Sequence, residues 1–144
     1  MTDLNLHPAV AESLAKWHAI VSTADTGDLR SITHPDATFR SPVAYKAYKS
    51  ADAVVLALST VITVFKDFAY HREAATADGL NVVLEFSAMV EDKGVKGIDF
   101  IRFDEDGKII DFEVMMRPLN GVQALAQEMG KRLGGQLPAF KEQG

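Results

Sequence analysis

Residues Gly97–Met116 read GIDFIRFDEDGKIIDFEVMM, a pattern typical of two antiparallel strands joined by a tight turn at Asp106-Gly107. Strict alternation along the first strand places one acid, Asp99, on an otherwise apolar face. The apolar side chains of that face are Ile101, Phe103, Ile110, Phe112, Val114 and Met116. A carboxyl group on an apolar surface is unfavourable unless it is paired, protonated or used in chemistry. Asp99 is therefore the first candidate for a functional residue.

Composition limits the function classes that need to be considered. The chain has 144 residues, of which 47% are hydrophobic, so we predict a single domain, residues 1–144, with one sizeable core. The net charge is −5 and no run of Lys or Arg occurs, which argues against nucleic acid and an anionic membrane surface as partners. The absence of cysteine excludes disulfides, thiolate metal sites and cysteine nucleophiles.

The sequence carries no feature typical of export or membrane insertion. The N-terminal residues MTDLNLHPAV lack the basic start and apolar core of a signal peptide. The longest apolar region, Ala53–Phe65, is too short to span a bilayer. We therefore expect a soluble cytoplasmic protein.

The first half of the chain favours two helices. Pro8 suits the first position of a helix, and apolar residues at helical spacing extend it to about Thr23. Ser50 is a good N-cap for a second helix, whose continuous apolar stripe predicts that it is largely buried. Between these helices we predict a helical turn at Leu29–Thr33, a strand at Ala37–Val43 and a loop at Tyr45–Lys49.

The second half of the chain alternates in the manner of strands as far as Pro118. Asn120 can cap a last helix, which Gly134-Gly135 stops, and the tail Gln136–Gly144 is expected to be loosely held. The predicted antiparallel strands are Phe68–Thr76, Asn81–Val90, Val95–Phe103 and Lys108–Arg117.

This order of elements predicts an α+β fold. A strongly curved, mostly antiparallel sheet would wrap on the N-terminal helices, with the last helix added at the C-terminus. Such a sheet leaves a cone with an open end, and cones of this kind hold small apolar ligands. We therefore expect a small hydrophobic molecule as the partner.

The order and spacing of three runs carry a family resemblance. The run GDL…DATFRSPV, the apolar helix after it, and then GIDFIRFDEDGKI resemble the nuclear transport factor 2-like superfamily, and within it the SnoaL-like and ketosteroid isomerase branch. The resemblance covers roughly Val10 to Pro118 and implies one SnoaL-like domain with a cystatin-like α+β roll. Ketosteroid isomerases carry a similar hairpin, and its Asp falls on Asp99. The resemblance thus implies that Asp99 is protonated and donates a hydrogen bond to a substrate oxyanion.

Two other positions depart from the isomerase pattern. The isomerase base, an Asp before the proline of the first strand, is replaced by Ser41, and the Tyr of the first helix is replaced by Ile20. A serine hydroxyl is not a general base near neutral pH without an activator. Limonene epoxide hydrolases, another branch, use an Arg at the position of Gly97. Neither known mechanism is therefore expected here.

The candidate site combines one acid with an apolar wall. Asp99 is the candidate donor, and Ser41 is a weak catalytic candidate that more often lines or bridges a pocket. A water held by Ser41, a base on the substrate or His18 could supply the missing base, although a lone helical His is more often structural. We predict no metal and no cofactor, since the histidines lack metal-ligand spacing. The predicted ligand-binding residues are Trp17, Ile20, Phe39, Ser41, Tyr45, Tyr48, Phe65, Tyr70, Phe86, Asp99, Ile101, Phe112, Val114 and Met116.

Two functions remain open at this point. The first is an isomerase, cyclase or dehydratase acting on a carbonyl-containing hydrophobic metabolite, with Asp99 as hydrogen-bond or proton donor. The second is a non-catalytic ligand-binding or protein-binding module of the same fold. The opposite face of the sheet mixes aromatic, Met and Arg residues, which favours a homodimer through this outer face. Its members are Ile98, Phe100, Arg102, Ile109, Asp111, Glu113, Met115 and Arg117.

Overall fold

The computed structural model describes residues 4–134 as helices packed on one curved sheet. The helices are α1 (Pro8–Thr23), α2 (Ala51–Val64) and α3 (Leu119–Leu133), and a 3-10 turn covers Arg30–Ile32. The strands are β1 (Thr33–Arg40), β2 (Tyr48–Lys49), β3 (Lys66–Ala75), β4 (Asn81–Val90), β5 (Lys93–Phe103) and β6 (Ile109–Arg117). The predicted tail Gln136–Gly144 lies outside the described residues.

The sheet has six strands in the order β2-β1-β6-β5-β4-β3. The pair β1 and β6 is parallel, and every other neighbouring pair is antiparallel. The predicted α+β fold with a curved, mostly antiparallel sheet is therefore confirmed.

Local sequence signals set the first two helices. Pro8 occupies the first turn of α1, and the helix ends where Ala24 adopts a left-handed conformation with φ of 58°. The Ser50 hydroxyl accepts a hydrogen bond of 3.0 Å from the backbone N–H of Ala53 at the start of α2, as predicted for an N-cap. The third helix begins at Leu119 after Pro118, so the prediction that Asn120 caps it is wrong.

Two hydrophobic clusters fill the concave side of the sheet. The larger joins α1, α2 and the strands and contains Trp17 and Phe112. The smaller contains Val95 of β5 and Leu125 of α3. Phe65, just after α2, packs against both clusters. The candidate site lies where they meet.

The region around β1 differs from its prediction. The strand begins at Thr33 and not at Ala37, because the His34-Pro35-Asp36 segment continues along β6 across an irregularity in the register between Thr33 and Thr38. Tyr48 pairs with Phe39, so a segment predicted as loop contains the short edge strand β2.

The start of β6 also corrects the predicted faces. The register shifts between Arg102 and Phe103, which brings Ile109 opposite Phe103. Ile109 is consequently fully buried, and the partly exposed Ile110 is not part of the regular apolar face. Strict alternation from the turn onward therefore assigned these two isoleucines to the wrong faces.

None of the helices in residues 4–134 is long and apolar enough to cross a membrane.

The two glycines of β5 provide a matched test of how closely the strands approach. A Cβ on Gly97 would lie 2.8 Å from Cζ of Phe86 and would also clash with the backbone oxygen of Met115. A Cβ on Gly94 would meet only Sδ of Met89, at 3.9 Å. We predict that Gly97→Ala lowers the free energy of unfolding by about 1–3 kcal/mol. Gly94→Ala should leave it unchanged or raise it slightly, since Ala restricts the unfolded chain.

Urea denaturation of both variants measures this difference. Equal losses of stability in Gly97→Ala and Gly94→Ala would contradict the proposed close approach at Gly97.

Candidate functional site

An apolar cavity opens on the concave side of the sheet, between α1, α2 and α3. Its volume is about 70 Å³. The polar side chains in its wall belong to Trp17, Ser41, Tyr70 and Asp99. The apolar part of the wall is formed by Val21, Phe39, Pro42, Val43, Leu58, Val61, Ile62, Phe65, Phe68, Phe112, Val114, Leu125 and Met129.

Asp99 lies in the middle of β5 and faces this cavity. Its register partners are Leu84 on β4 and Val114 on β6, both of which are buried. The residue is 6% exposed, so its carboxyl group is almost entirely removed from bulk water. Regular pairing on both sides fixes its backbone, and the alternation that predicted an inward-facing acid holds over this part of the strand.

A chain of hydrogen bonds leads to the acid. The Trp17 indole N–H donates to the Tyr70 hydroxyl oxygen over 2.9 Å, and the Tyr70 hydroxyl donates to Oδ2 of Asp99 over 2.5 Å. A tyrosine has a single hydroxyl hydrogen. Because the Tyr70 oxygen accepts from Trp17, that hydrogen is directed to Asp99. The three side chains come from α1, β3 and β5, so the network ties the first helix to the sheet.

Burial changes the protonation of both hydrogen-bonded groups. Desolvation raises the pKa of Asp99 from 3.8 to about 7, and the hydrogen bond from Tyr70 opposes part of that rise. The pKa of Tyr70 is raised well above its ordinary value by burial and then by the negative charge of Asp99. Tyr70 is therefore a neutral donor, whereas Asp99 exists in both ionised and protonated forms near neutral pH.

Ser41 enters the cavity from the loop after β1. Its hydroxyl oxygen accepts a 3.0 Å hydrogen bond from the backbone N–H of Val43, which holds the side chain in place. Within residues 4–134 the Ser41 hydroxyl donates to no protein acceptor. Its hydrogen is thus available to a bound molecule.

His18 is placed outside the cavity. Its Nε2 atom lies 3.2 Å from Oε1 of Glu73, and its ring packs edge-on against Tyr70 with a centroid distance of 5.4 Å. It lines a separate groove, which shares Val21, Phe68 and Tyr70 with the cavity wall. His18 therefore does not line the cavity beside Asp99, so the geometry does not favour it as the base.

The cavity brings together many of the residues predicted from the sequence. Those that line it are Trp17, Phe39, Ser41, Phe65, Tyr70, Asp99, Phe112 and Val114.

Six predicted residues are not in the wall. Ile20, Phe86 and Ile101 are buried in the core, where neighbouring side chains cover them. Tyr48 is buried and stacks on Phe39, since β2 turns its side chain inward. The remaining two predicted residues line an adjoining groove instead of the cavity. Tyr45 is 98% exposed, and Met116 is partly buried near the end of β6.

Several wall residues were missed. Leu58, Val61 and Ile62 belong to the stripe of α2 that the sequence predicted to be buried, so the signal was present but was attributed to core packing. Leu125 and Met129 belong to the apolar face of α3, and only the packing of that helix over the opening assigns them to the cavity. Within the described residues, no group of three or more His, Asp or Glu side chains could hold a metal ion.

A curved sheet and helices enclosing an apolar cavity place this chain in the class of cystatin-like, nuclear transport factor 2-like folds. The family model of the SnoaL-like domain matches residues 14–112, and the chain belongs to this family. The resemblance drawn from the sequence is thereby confirmed.

Solved structures support this assignment. A steroid delta-isomerase structure from Pseudomonas aeruginosa is 54% identical, with a TM-score of 0.90, and covers 94% of this chain and 99% of its own. A bacterial protein with a cystatin-like fold from Silicibacter pomeroyi is 31% identical, with a TM-score of 0.81, and covers 95% of this chain and 94% of its own.

A more distant structure shares the fold alone. The epoxide hydrolase/cyclase-like enzyme SalBIII of salinomycin pyran ring formation is 18% identical, with a TM-score of 0.62, over 77% of this chain and 92% of its own. The search of curated proteins gives no match.

The raised pKa of Asp99 predicts how stability depends on pH. The folded protein keeps this proton up to a pH of about 7, whereas the unfolded chain releases it near 3.8. The contribution of Asp99 to stability is therefore lost progressively as pH rises between these values. We predict that Asp99→Asn raises the free energy of unfolding at a pH of about 8 by roughly 2–4 kcal/mol, because no charge is then buried. At a pH of about 4 the variant and the wild type should be nearly equal.

Urea unfolding curves at the two pH values give the comparison. A variant that is destabilised equally at both would show that Asp99 is not held in the protonated form by burial.

The hydrogen bond from Tyr70 lowers the pKa of Asp99, so its removal should raise that pKa further. We predict an upward shift in Tyr70→Phe, measured by carbon NMR titration of the aspartate carboxyl groups. Tyr45→Phe is the control, because Tyr45 is exposed and should leave the Asp99 pKa unchanged. An unchanged or lower pKa in Tyr70→Phe would rule out the proposed effect of this hydrogen bond.

Proposed function

We propose that this protein is an isomerase. It shifts the carbon–carbon double bond of a small hydrophobic unsaturated ketone into conjugation with the carbonyl group by proton transfer. The observation that carries the proposal is Asp99, an almost fully buried acid in an apolar cavity. The pKa of its carboxyl group is about 7. A group that transfers protons works best when its pKa lies near the operating pH. The similar Pseudomonas aeruginosa structure is described as a steroid delta-isomerase, which makes steroids the first ketones to test.

The wall of the cavity suits such a ligand. Its apolar side chains favour the hydrocarbon carbons next to a ketone, and its few polar groups can orient one carbonyl oxygen. Ser41 has a hydroxyl hydrogen free for that oxygen, whereas the Tyr70 hydrogen is already donated to Asp99.

The step that these residues can support is a shift of a double bond. Ionised Asp99 removes a proton from the carbon between the carbonyl group and the double bond, and the electron pair of that C–H bond passes into a dienolate. Ser41 donates a hydrogen bond to the enolate oxygen as negative charge develops there. Protonated Asp99 then returns the proton to the far carbon of the dienolate, which brings the double bond into conjugation and restores the carboxylate.

Asp99 is assigned as the base because the wall offers no better one. The donor role implied by the family resemblance needs a second group to take the proton. Among the described residues, Asp99 and Tyr70 are the ionisable side chains in the wall, and Tyr70 stays neutral. The two roles predict opposite pH dependence, since a base must be ionised and a donor must be protonated.

A non-catalytic ligand-binding module is the second candidate. The observation that favours it is the cavity volume of about 70 Å³, which is far below the roughly 300–1,000 Å³ of ordinary ligand pockets. Binding of ketones without turnover would support this alternative.

The homodimer through the outer face of the sheet stays a proposal as well. The apolar side chains of Ile98 and Phe100 are partly exposed there, and Met115 is 43% exposed. Beside them Glu85 pairs with Arg72 and Lys96. Sedimentation analysis of the wild type and of Phe100→Glu would decide whether this surface joins two copies.

We predict that the protein isomerises a steroid with an unconjugated ketone, measured by the absorbance of the conjugated product. The value of kcat/KM should rise with pH to a plateau, with its midpoint near the Asp99 pKa of about 7. Asp99→Asn should lower kcat/KM by about a hundredfold or more, because a general base is lost. Ser41→Ala should lower it by about tenfold, the value of one hydrogen bond to the developing charge.

The pH profile separates the two catalytic roles. Activity that falls as pH rises through about 7 would assign Asp99 as a donor and overturn the proposed base. Turnover that survives Asp99→Asn in a folded protein would remove Asp99 from catalysis altogether.

A further inference from the structure

We infer that the groove beside the cavity binds an anionic group of the same ligand, so that the substrate is an amphiphilic ketone with a carboxylate or phosphate at its far end. This inference rests on the proposed function, since it assumes that the ketone lies at Asp99.

The groove is formed by the loop after β1, the strand β2 and the second half of β6. Its volume is about 1070 Å³, compared with about 70 Å³ for the cavity. The residues along it are Arg40, Ser41, Pro42, Val43, Ala44, Tyr45, Lys46, Ala47, Lys49, Glu113, Val114, Met115 and Met116.

The cavity and the groove are continuous. Ser41, Pro42, Val43 and Val114 line both. Val114 is the register partner of Asp99 across β5 and β6, and paired Cα atoms in an antiparallel sheet lie about 5 Å apart. The groove therefore begins at a residue that directly neighbours Asp99 on the next strand.

The cavity is too small to enclose a whole ligand, so most of the ligand would lie outside it. A cavity of about 150 Å³ is known to hold one benzene ring. The cavity here has less than half that volume, so it encloses little more than the reacting end of a ketone. Because Ser41 and Val114 line both spaces, a ligand with its carbonyl group near Asp99 and Ser41 can extend past Val114 and lie along the groove.

The charges of the groove select an anion. Lys46 and Lys49 are exposed, and neither forms an ion pair with the rest of residues 4–134. Arg40 is paired with Asp111 at 3.1 Å, and Glu113 is the acid in the groove wall. Two unpaired ammonium groups thus face one carboxylate, in a chain whose net charge is −5. The local excess of positive charge runs against the overall composition.

A matched pair of steroid ketones tests the inference. One carries a carboxylate on the ring farthest from the ketone, and the other is its methyl ester. Trp17 is the single tryptophan of the chain and lies in the cavity wall, so its fluorescence reports binding directly. At low salt the acid should bind the wild type about tenfold more tightly than the ester, and added salt should reduce this preference.

Substitutions locate the source of the preference. In the double variant Lys46→Gln/Lys49→Gln the acid should bind no better than the ester, while the affinity for the ester stays unchanged. The Lys46→Arg/Lys49→Arg variant should keep the preference, because the charge is retained. Lys16→Gln, an exposed lysine of α1 outside the groove, is the control and should also keep it.

The outcomes distinguish this inference from the proposed function. Equal binding of acid and ester by the wild type, together with turnover that requires Asp99, would overturn the anion site and leave the isomerase standing. A preference for the acid that survives in Lys46→Gln/Lys49→Gln would also overturn it. If neither compound binds, the proposed function and this inference both fail.

Discussion

The removal of the Asp99 carboxyl group from water is the constraint on which the rest of the site depends. The residue is 6% exposed and receives a hydrogen bond from Tyr70, so its charged form is disfavoured but not excluded. A pKa of about 7 lets one group both take up and release a proton near neutrality. The same burial makes ionisation destabilise the fold. The ionised form that the proposed proton transfer requires is therefore the form that lowers stability.

The network that holds Asp99 is built from rigid elements. Tyr70 reaches Asp99 over β4, and Trp17 fixes the hydroxyl of Tyr70 from α1. Two residues before the acid, Phe86 of β4 packs closely against Gly97 of β5, where no side chain larger than hydrogen fits. Ser41 instead stands on a loop, held by one backbone hydrogen bond. The acid is thus fixed by pairing on both sides in the sheet, whereas a single hydrogen bond within its loop holds the candidate oxyanion donor.

The sequence was sufficient where a strand is long and regular. Asp99 and Ile101 face inward because alternation continues without a break through this part of β5. It was not sufficient where the register changes. Because of the shift at Phe103, Ile109 and Ile110 lie on the opposite faces of the sheet from those predicted. The partnership of Tyr70 with Asp99 was also inaccessible, because the register of β3 on β4 contains irregularities and two strand pairings separate the residues. Local pattern predicts faces, but only tertiary structure assigns partners.

Electrostatics links Ser41, which stands where the isomerases carry an acid, to the proton-transfer role that we propose for Asp99. Two carboxylates within about 4–6 Å raise each other's pKa, and a cavity of about 70 Å³ leaves little room to separate or hydrate them. A second acid at position 41, which also lines this cavity, would therefore favour the protonated form of Asp99. A neutral hydroxyl there removes that repulsion and lets Asp99 ionise at a pH of about 7. In the proposed mechanism, the neutral Ser41 is therefore the condition under which the one acid of the cavity can act as the base.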